Sequence, residues 1–536
     1  MAQRHGVTAR PGRMAALAVV PILFVVATYL WPVTALVMRS ARSASGGVVS
    51  EVFGSSRTWH LIIVTLLQAI ASTIVALVVG VPAAWCHARF RFPGRGAVWS
   101  LGAVPFVLPA IVVAAGLRAV LGGDGASTWC WVIAAHAAVN LGVILRTVGA
   151  RFARIDPGAE EVARVLGRSS LRAAWDVTVL GSLDAIWGAA LVVFLFSLTS
   201  FGIVLILGGG ALGTVEIEIW LQTTRLFRLD VAALLAGAQL VLVIGVLALH
   251  SRVAGSRPPS RSTASRLRRP LGRVEWALVI GSAVPVLAAT IVPIGGLAAR
   301  ALRVGDGWGL ANFAHLSDAL AGTGGSVTAL GALWWSTIIA VVATVLAVGV
   351  GIPASIVVAG GGRLGRTLDG LLMIPLATSA ATVGFGFLLA YRTSPFDLRG
   401  SAMAVPLVEA AIATPLAVRV LVPAIRGLDA SLSEAARTLG SGRRRRFLVA
   451  VLPGVRGALL VAAALSFAVS LGEFGATAFL ARSGSPTLPQ VIQRLLGRPG
   501  EVNVGRAMAL GLVLSLICGG MFSLAERLGR TRSLEF

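Results

Sequence analysis

The sequence predicts an all-α polytopic membrane protein of about twelve transmembrane helices, arranged as two tandem six-helix modules. Three observations carry this. The 536 residues are 56% hydrophobic and only 13% charged, where a soluble chain carries about a quarter charged residues. Apolar runs of about 20 residues, long enough to cross a bilayer, recur along the chain. The two halves also repeat one another at a nearly constant offset. The runs are continuous rather than alternating, which argues against a transmembrane β-barrel.

The runs cover roughly 14–38, 60–86, 98–121, 130–150, 184–206 and 230–250, then 275–299, 333–359, 367–391, 402–424, 457–481 and 505–526. Pro21, Pro32, Pro82, Pro105 and Pro109 fall in or near them, and neighbouring helices satisfy the backbone groups a proline frees. Arg4, Arg10 and Arg13 precede the first run, which reaches about Met38 without a clear small-residue cleavage site. A retained first helix is therefore expected rather than a signal peptide.

The formal net charge is +24, and with no lysine in the chain all 46 basic residues are arginine. Such a charge invites a nucleic-acid reading. The arginines instead sit in alternate loops, the pattern of a topology signal. With the N-terminus cytoplasmic, cytoplasmic segments hold about 30 arginines and outside loops about 12. Both chain ends are then cytoplasmic. Cys86, Cys130 and Cys518 lie in or beside apolar runs without metal spacing.

Residues 251–274 are rich in Arg, Ser and Pro and read as a cytoplasmic linker. They separate a first module, 1–250, from a second, 275–536. Gly80-Val81-Pro82-Ala83 answers Gly351-Ile352-Pro353-Ala354, Asp156 answers Asp429, and Ser197-Leu198-Thr199-Ser200-Phe201-Gly202 answers Ser470-Leu471-Gly472-Glu473-Phe474-Gly475. Six helices per module make the repeats parallel, related by a pseudo-twofold axis along the membrane normal.

Two polar islands interrupt the apolar pattern, in loops 151–183 and 425–456. The first holds Glu160-Glu161-Val162-Ala163-Arg164-Val165-Leu166-Gly167. The second holds Ser433-Glu434-Ala435-Ala436-Arg437-Thr438-Leu439-Gly440, followed by Arg443 to Arg446 and Leu452-Pro453. In each, an acidic residue opens a short helix, where negative charge is favoured. Small residues follow, and a glycine six positions on can supply the left-handed helix stop. Ala435, Ala436 and Leu439 share a helix face, smooth enough for another protein to approach closely. The Arg443–Arg446 run serves topology and contact with anionic headgroups, worth about 1 kcal/mol per charge.

Positions 434–453 resemble the EAA loop of ABC importer inner-membrane subunits, and both halves with their spacing resemble the subgroup in which two permease modules are fused. The first island departs from it: Val162 replaces the first alanine, and Leu180 stands in place of the proline. The resemblance implies the type I permease fold and a bacterial plasma-membrane location. It also implies that Glu161, Ala163 and Gly167, with Glu434, Ala435, Ala436 and Gly440, form coupling helices. Two copies of a cytoplasmic ABC ATPase would dock on them, and an extracytoplasmic solute-binding protein would deliver solute. The P-loop lysine that reaches the nucleotide phosphates is absent from a lysine-free chain. The ATPase is thus another polypeptide; ATP and Mg²⁺ belong to it, and this chain carries no cofactor and no catalytic site.

Segments 200–210 and 214–220, with Ala135-His136-Ala137-Ala138-Val139-Asn140-Leu141, are similar to thiamine permeases. Glu473-Phe474-Gly475 with Thr487-Leu488-Pro489 is shared with ferric-iron permeases. Thiamine is the leading expectation, ferric iron or another small solute the alternative. An ion-coupled secondary transporter is the rival of another class, and it leaves the paired islands unexplained. Ionisable and polar residues inside spans mark pathways when paired or hydrated. His136, Asn140, Ser200, Phe201, Glu409, Glu473 and Phe474 are the candidate solute-pathway residues. The competing reading is that Glu473 sits near an interface in contact with water, and that His136 and Asn140 tie helices together.

Overall fold

The computed structural model describes residues 11–530 apart from 45–46, 122–127, 209–212, 255–266, 271, 320–326, 393–396, 399–400, most of 429–451, and 481–483. Among the described residues ten helices are long and apolar enough to cross a membrane, and two bent helix pairs, each counted as one span, bring the number to twelve. In order, spans 1 to 6 are Met14–Ser43, Ser56–Arg89, the bent pair Arg95–Val107 with Ala110–Val120, Thr128–Phe152, Ser170–Leu198 and Leu229–Val253. Spans 7 to 12 are Arg273–Leu302, Ala329–Gly360, the bent pair Gly362–Pro375 with Ala380–Ala390, Ala404–Arg426, Leu452–Leu471 and Glu501–Leu528. The only strands among the described residues are the two-residue pair Arg303–Val304 and Gly307–Trp308.

The runs 98–121 and 367–391 are each read from the sequence as one apolar segment. They bend by 106° and 97°. The first bend has a local cause: Leu108 precedes Pro109 and takes extended angles (φ −63°, ψ 139°), because a residue before proline avoids the helical region. At the second, Pro375 sits in the last turn and Thr378 is extended (ψ 146°), after which Ser379 caps the new helix by accepting from the Ala381 amide at 3.1 Å. Two further expected spans are shorter than their apolar runs. The fifth breaks after Leu198 and resumes as Gly202–Gly208, and the eleventh ends at Leu471.

The spans group into two compact units that cut across the sequence halves. Unit 1 contains Met1–Arg42, Leu316–Val491 and Leu516–Phe536; unit 2 contains Ser43–His315 and Ile492–Ser515. Each unit thus contains the first span of the other half of the sequence, span 1 in unit 1 and span 7 in unit 2. In unit 1, Ala18, Val25 and Tyr29 of span 1 join the core of Val357, Leu368, Phe387 and Val408. The Tyr29 hydroxyl meets Thr378, and the Tyr391 hydroxyl donates to the Ala27 carbonyl at 2.8 Å. In unit 2, Val286 of span 7 joins Val98, Leu141, Leu145 and Val148. There the Thr290 hydroxyl donates to the Leu101 carbonyl at 2.6 Å.

The exchange uses the same contact twice. In unit 2, Gly116 of span 3 lies against the backbone of Pro293 in span 7; in unit 1, Gly386 of span 9 lies against that of Pro32 in span 1. Small residues let backbones approach, which is how apolar helices gain contact energy when lipid supplies no hydrophobic drive. Within unit 2, Gly80 admits the Ile144 side chain and Ala84 touches Gly149. The pairs advance together, so spans 2 and 4 run parallel and deliver Arg89 and Phe152 to the same end of the unit.

Candidate functional site

The first island begins where span 4 ends. Asp156 caps a helix over Pro157–Val165, its carboxylate accepting from the Gly158 amide at 2.9 Å. The helix closes with two bonds, from the Gly167 amide to the Arg164 carbonyl (3.0 Å) and from the Arg168 amide to the Ala163 carbonyl (3.0 Å). This is the Schellman pattern, with its left-handed residue at Gly167 (φ +88°). Gly440 of the second island has the same conformation (φ +72°). A Cβ at either glycine would meet nothing within 4 Å, so only the backbone angle asks for glycine. Glu434, Ala435 and Ala436 lie outside the described residues.

The island helix is tied to its unit by one arginine. Arg89, the last residue of span 2, is 5% exposed. Its guanidinium donates to the Ile155 carbonyl, the Glu160 carboxylate and the Thr178 hydroxyl, each at 3.0 Å. Thr178 also donates to the same Glu160 oxygen. A planar fork of five donors suits this task where a lysine ammonium does not. Thus Glu160 is the acid that holds the island in place, a role separate from the docking expected of Glu161. Glu161 is exposed and Ala163 half-buried. The outward face carries Val162, Val165 and Leu166, at 60%, 87% and 79% exposure. A solvent-facing apolar stripe on a rigid, capped helix fits a contact surface.

The candidate pathway residues fall in both units. In unit 2, His136 and Asn140 are buried one turn apart on span 4, and the Asn140 amide donates to the His136 carbonyl at 2.9 Å. His136 Nδ1 lies 3.3 Å from the Ser72 hydroxyl on span 2. One turn before Ser72, the Gln68 amide donates to the Ser197 carbonyl on span 5 at 2.8 Å. The result is a polar seam through an apolar bundle, with His136 Nε2, Asn140 Oδ1, Gln68 Oε1 and Ser197 Oγ lacking a partner among the described residues. Ser200 and Phe201 follow at the break after span 5, and Phe201 packs on Trp220 with ring centroids 5.9 Å apart.

In unit 1, Glu409 is 2% exposed and accepts from the Ser470 hydroxyl. Glu409 stands 273 positions after His136, and Ser470 the same distance after Ser197, so the repeats place an acid where the first has an imidazole. Glu473 follows Ser470 at the break after span 11. It is half-buried, and its carboxylate accepts from the Ala476 amide at 3.0 Å. Phe474 beside it is buried. Glu473 thus serves first as a local cap on the Thr477–Leu480 turn.

Several buried polar residues escaped the sequence reading. Glu216 is fully buried and accepts from Gln239 at 2.7 Å; Glu218 accepts from Gln222 at 2.8 Å and pairs with Arg57 at 3.1 Å. Their helix, Val215–Thr224, alternates acids with isoleucines and gave no helix-face signal. Gln68 and Ser72, four apart in an apolar run, did offer one. A cavity of about 580 Å³ in unit 2 is lined by Arg118, Arg300, Arg303, Asp306 and Trp308, and none of the candidate pathway residues borders it.

Comparison with known proteins agrees with this picture. Residues 351–533 match the family described as binding-protein-dependent transport system inner membrane component. The thiamine transport system permease protein ThiP of Brucella abortus (strain 2308) is 26% identical over 531 residues, covering 94% of this chain and 93% of the relative. The ThiP of Escherichia coli K12 is 26% identical over 502 residues, covering 89% and 90%. The sulfate transport system permease protein CysT of Escherichia coli K12 is 29% identical over 243 residues, which is 43% of this chain but 87% of that protein. One relative therefore matches less than half of the chain while others match nearly all of it. The chain is a multi-pass membrane protein whose residues 351–533 match the binding-protein-dependent transport family and whose nearly full length is similar to thiamine permeases.

Proposed function

We propose that this chain forms the solute pathway of a thiamine importer. The observation that carries the reading is the island helix Pro157–Val165: capped at both ends, clamped by Arg89, and presenting an apolar face outward. Such a helix suits docking on a separate ATPase, and the second island, whose Gly440 shares the left-handed conformation of Gly167, suits a second copy. Halves 1–250 and 275–536 act as the two modules, with the islands and both termini on the cytoplasmic side. A solute-binding protein serves the opposite side, and ATP and Mg²⁺ stay with the ATPase. The near full-length likeness to thiamine permeases supports thiamine as the solute. Buried carboxylates, Glu409 above all, suit a cationic solute.

The test is reconstitution in proteoliposomes with a partner ABC ATPase and solute-binding protein from the same organism. ATP-dependent uptake of labelled thiamine is expected, and the isolated binding protein should retain thiamine. Retention of ferric iron instead would move the solute to the alternative, and uptake without any bound ATPase would overturn the importer reading. Within that assay, Glu473→Gln should slow uptake several-fold while the ATPase still co-purifies, since glutamine keeps the capping oxygen and removes the charge. Unchanged uptake removes Glu473 from the pathway.

The second island has the fuller motif, so an unequal interface is expected. Gly440→Ala and Gly167→Ala each impose about 1–2 kcal/mol of left-handed strain. The Gly440 change should depress solute-stimulated ATP hydrolysis more. Equal losses would remove the asymmetry.

A further inference from the structure

Sequence alone reads 251–274 as a tether. The described part behaves otherwise. Arg268 pairs with Phe90 as an isolated bridge: the Arg91 amide donates to the Arg268 carbonyl at 2.8 Å, and the Arg268 amide to the Arg89 carbonyl at 3.1 Å. The Arg268 guanidinium lies 4.8 Å above the Phe90 ring, and Phe90 is fully buried. The same guanidinium grips both oxygens of Glu275 at 2.8 and 2.6 Å. Glu275 stands in the first turn of span 7.

These contacts join two systems already described. Arg89 holds the island through Glu160, and Arg268 is bonded to the backbone on either side of Phe90, directly after it. Span 7 is the exchanged helix, seated on Gly116 by the Pro293 backbone. A continuous chain therefore runs from Glu160 to Arg89, through the backbone of 89–91 to Arg268, and on to Glu275 and span 7. Every link lies in unit 2. The bond to Glu275 is the main reason the Arg268 guanidinium holds its proton more tightly than usual, and the field of Glu160 and Glu161 adds to it. A flexible tether transmits no displacement, whereas a bidentate arginine fork resists both stretching and rotation.

We propose that Leu267–Pro270 is a coupling strut, in which Arg268 acts as a positioning residue that makes span 7 move with the first island. The inference rests on the importer reading and assigns the linker a part in it. A merely stabilising ion pair would lower thermal stability without altering how much solute each ATP moves.

The experiment uses the full chain with its ATPase and binding protein in proteoliposomes, and reads solute imported per ATP hydrolysed. Arg268→Ala and Glu275→Gln should each lower that ratio about fivefold. The exchange Arg268→Glu with Glu275→Arg should recover most of it. Arg228→Ala is the control: it cuts the bidentate pair with Glu51 (2.6 and 2.7 Å) elsewhere in the same unit, and the ratio should not change. A wild-type ratio in both single variants overturns the strut, even where their melting temperatures fall. Loss of ATP-driven uptake in the unmodified protein would instead count against the importer reading.

Discussion

Gly116→Val should remove most folded protein from the membrane. A Cβ at this position collides with the Pro293 carbonyl, and the neighbouring Gly296 faces the Gly116 carbonyl just as closely. Both obstacles are backbone, so no rotamer change relieves them. Overpacking of this kind costs about 3 kcal/mol, and here it falls on the contact that seats an exchanged helix. Gly386→Val should act likewise in unit 1, where a Cβ would lie 2.9 Å from the Pro32 carbonyl. Gly245→Ala and Gly281→Ala are the matched controls: both lie in helices where an added Cβ meets nothing within 4 Å. They should be neutral or mildly stabilising, because alanine is the better helix former by about 1 kcal/mol. Fluorescence-detected size exclusion and thermal shift in detergent separate the two sets. Wild-type stability of Gly116→Val would mean that spans 3 and 7 do not cross there.

Arg89→Ala should both destabilise the chain and uncouple it. The substitution leaves the Glu160 carboxylate, the Thr178 hydroxyl and the Ile155 carbonyl without their common donor. Breaking a buried pair from one side costs about 3 kcal/mol; Glu160 is 15% exposed, so some water reaches the orphaned acid and the loss lies toward the lower end. Glu160→Gln keeps the hydrogen-bonding shape and removes the charge, and should cost less. Combining the two should be less than additive by about 1 kcal/mol, since both report on one network. Glu161→Ala, at an exposed position, should stay within about 0.5 kcal/mol of the parent. Equal melting temperatures for Arg89→Ala and Glu161→Ala would show that the clamp does not hold the island.

The contrast between Glu160 and Glu161 shows how far the sequence could be read. Hydropathy placed all twelve apolar segments because crossing a bilayer is a property of about 20 consecutive residues. The islands were legible for a similar reason: cap, small residues and helix-stopping glycine are local, and Gly167 and Gly440 both take the left-handed conformation. Choosing between two adjacent acids is not local. It depends on Arg89, which lies 71 residues before Glu160 and signals only topology in the sequence. Glu473 shows the same limit: an intramembrane acid marks a candidate, but its turn toward the Ala476 amide depends on the break after Leu471.

What the sequence determined by itself is the class of molecule, its internal repeat, and the two polar islands, because hydrophobicity, repetition and helix capping are all written in neighbouring residues. What only the tertiary structure decided is which helices belong together. Spans 1 and 7 change partners, two spans bend, and the linker docks at Phe90. Each of these depends on close backbone approach or an ion pair between residues distant in the chain, Gly116 with Pro293 and Arg268 with the end of span 2. No periodicity in one segment can encode contacts whose other half lies in another.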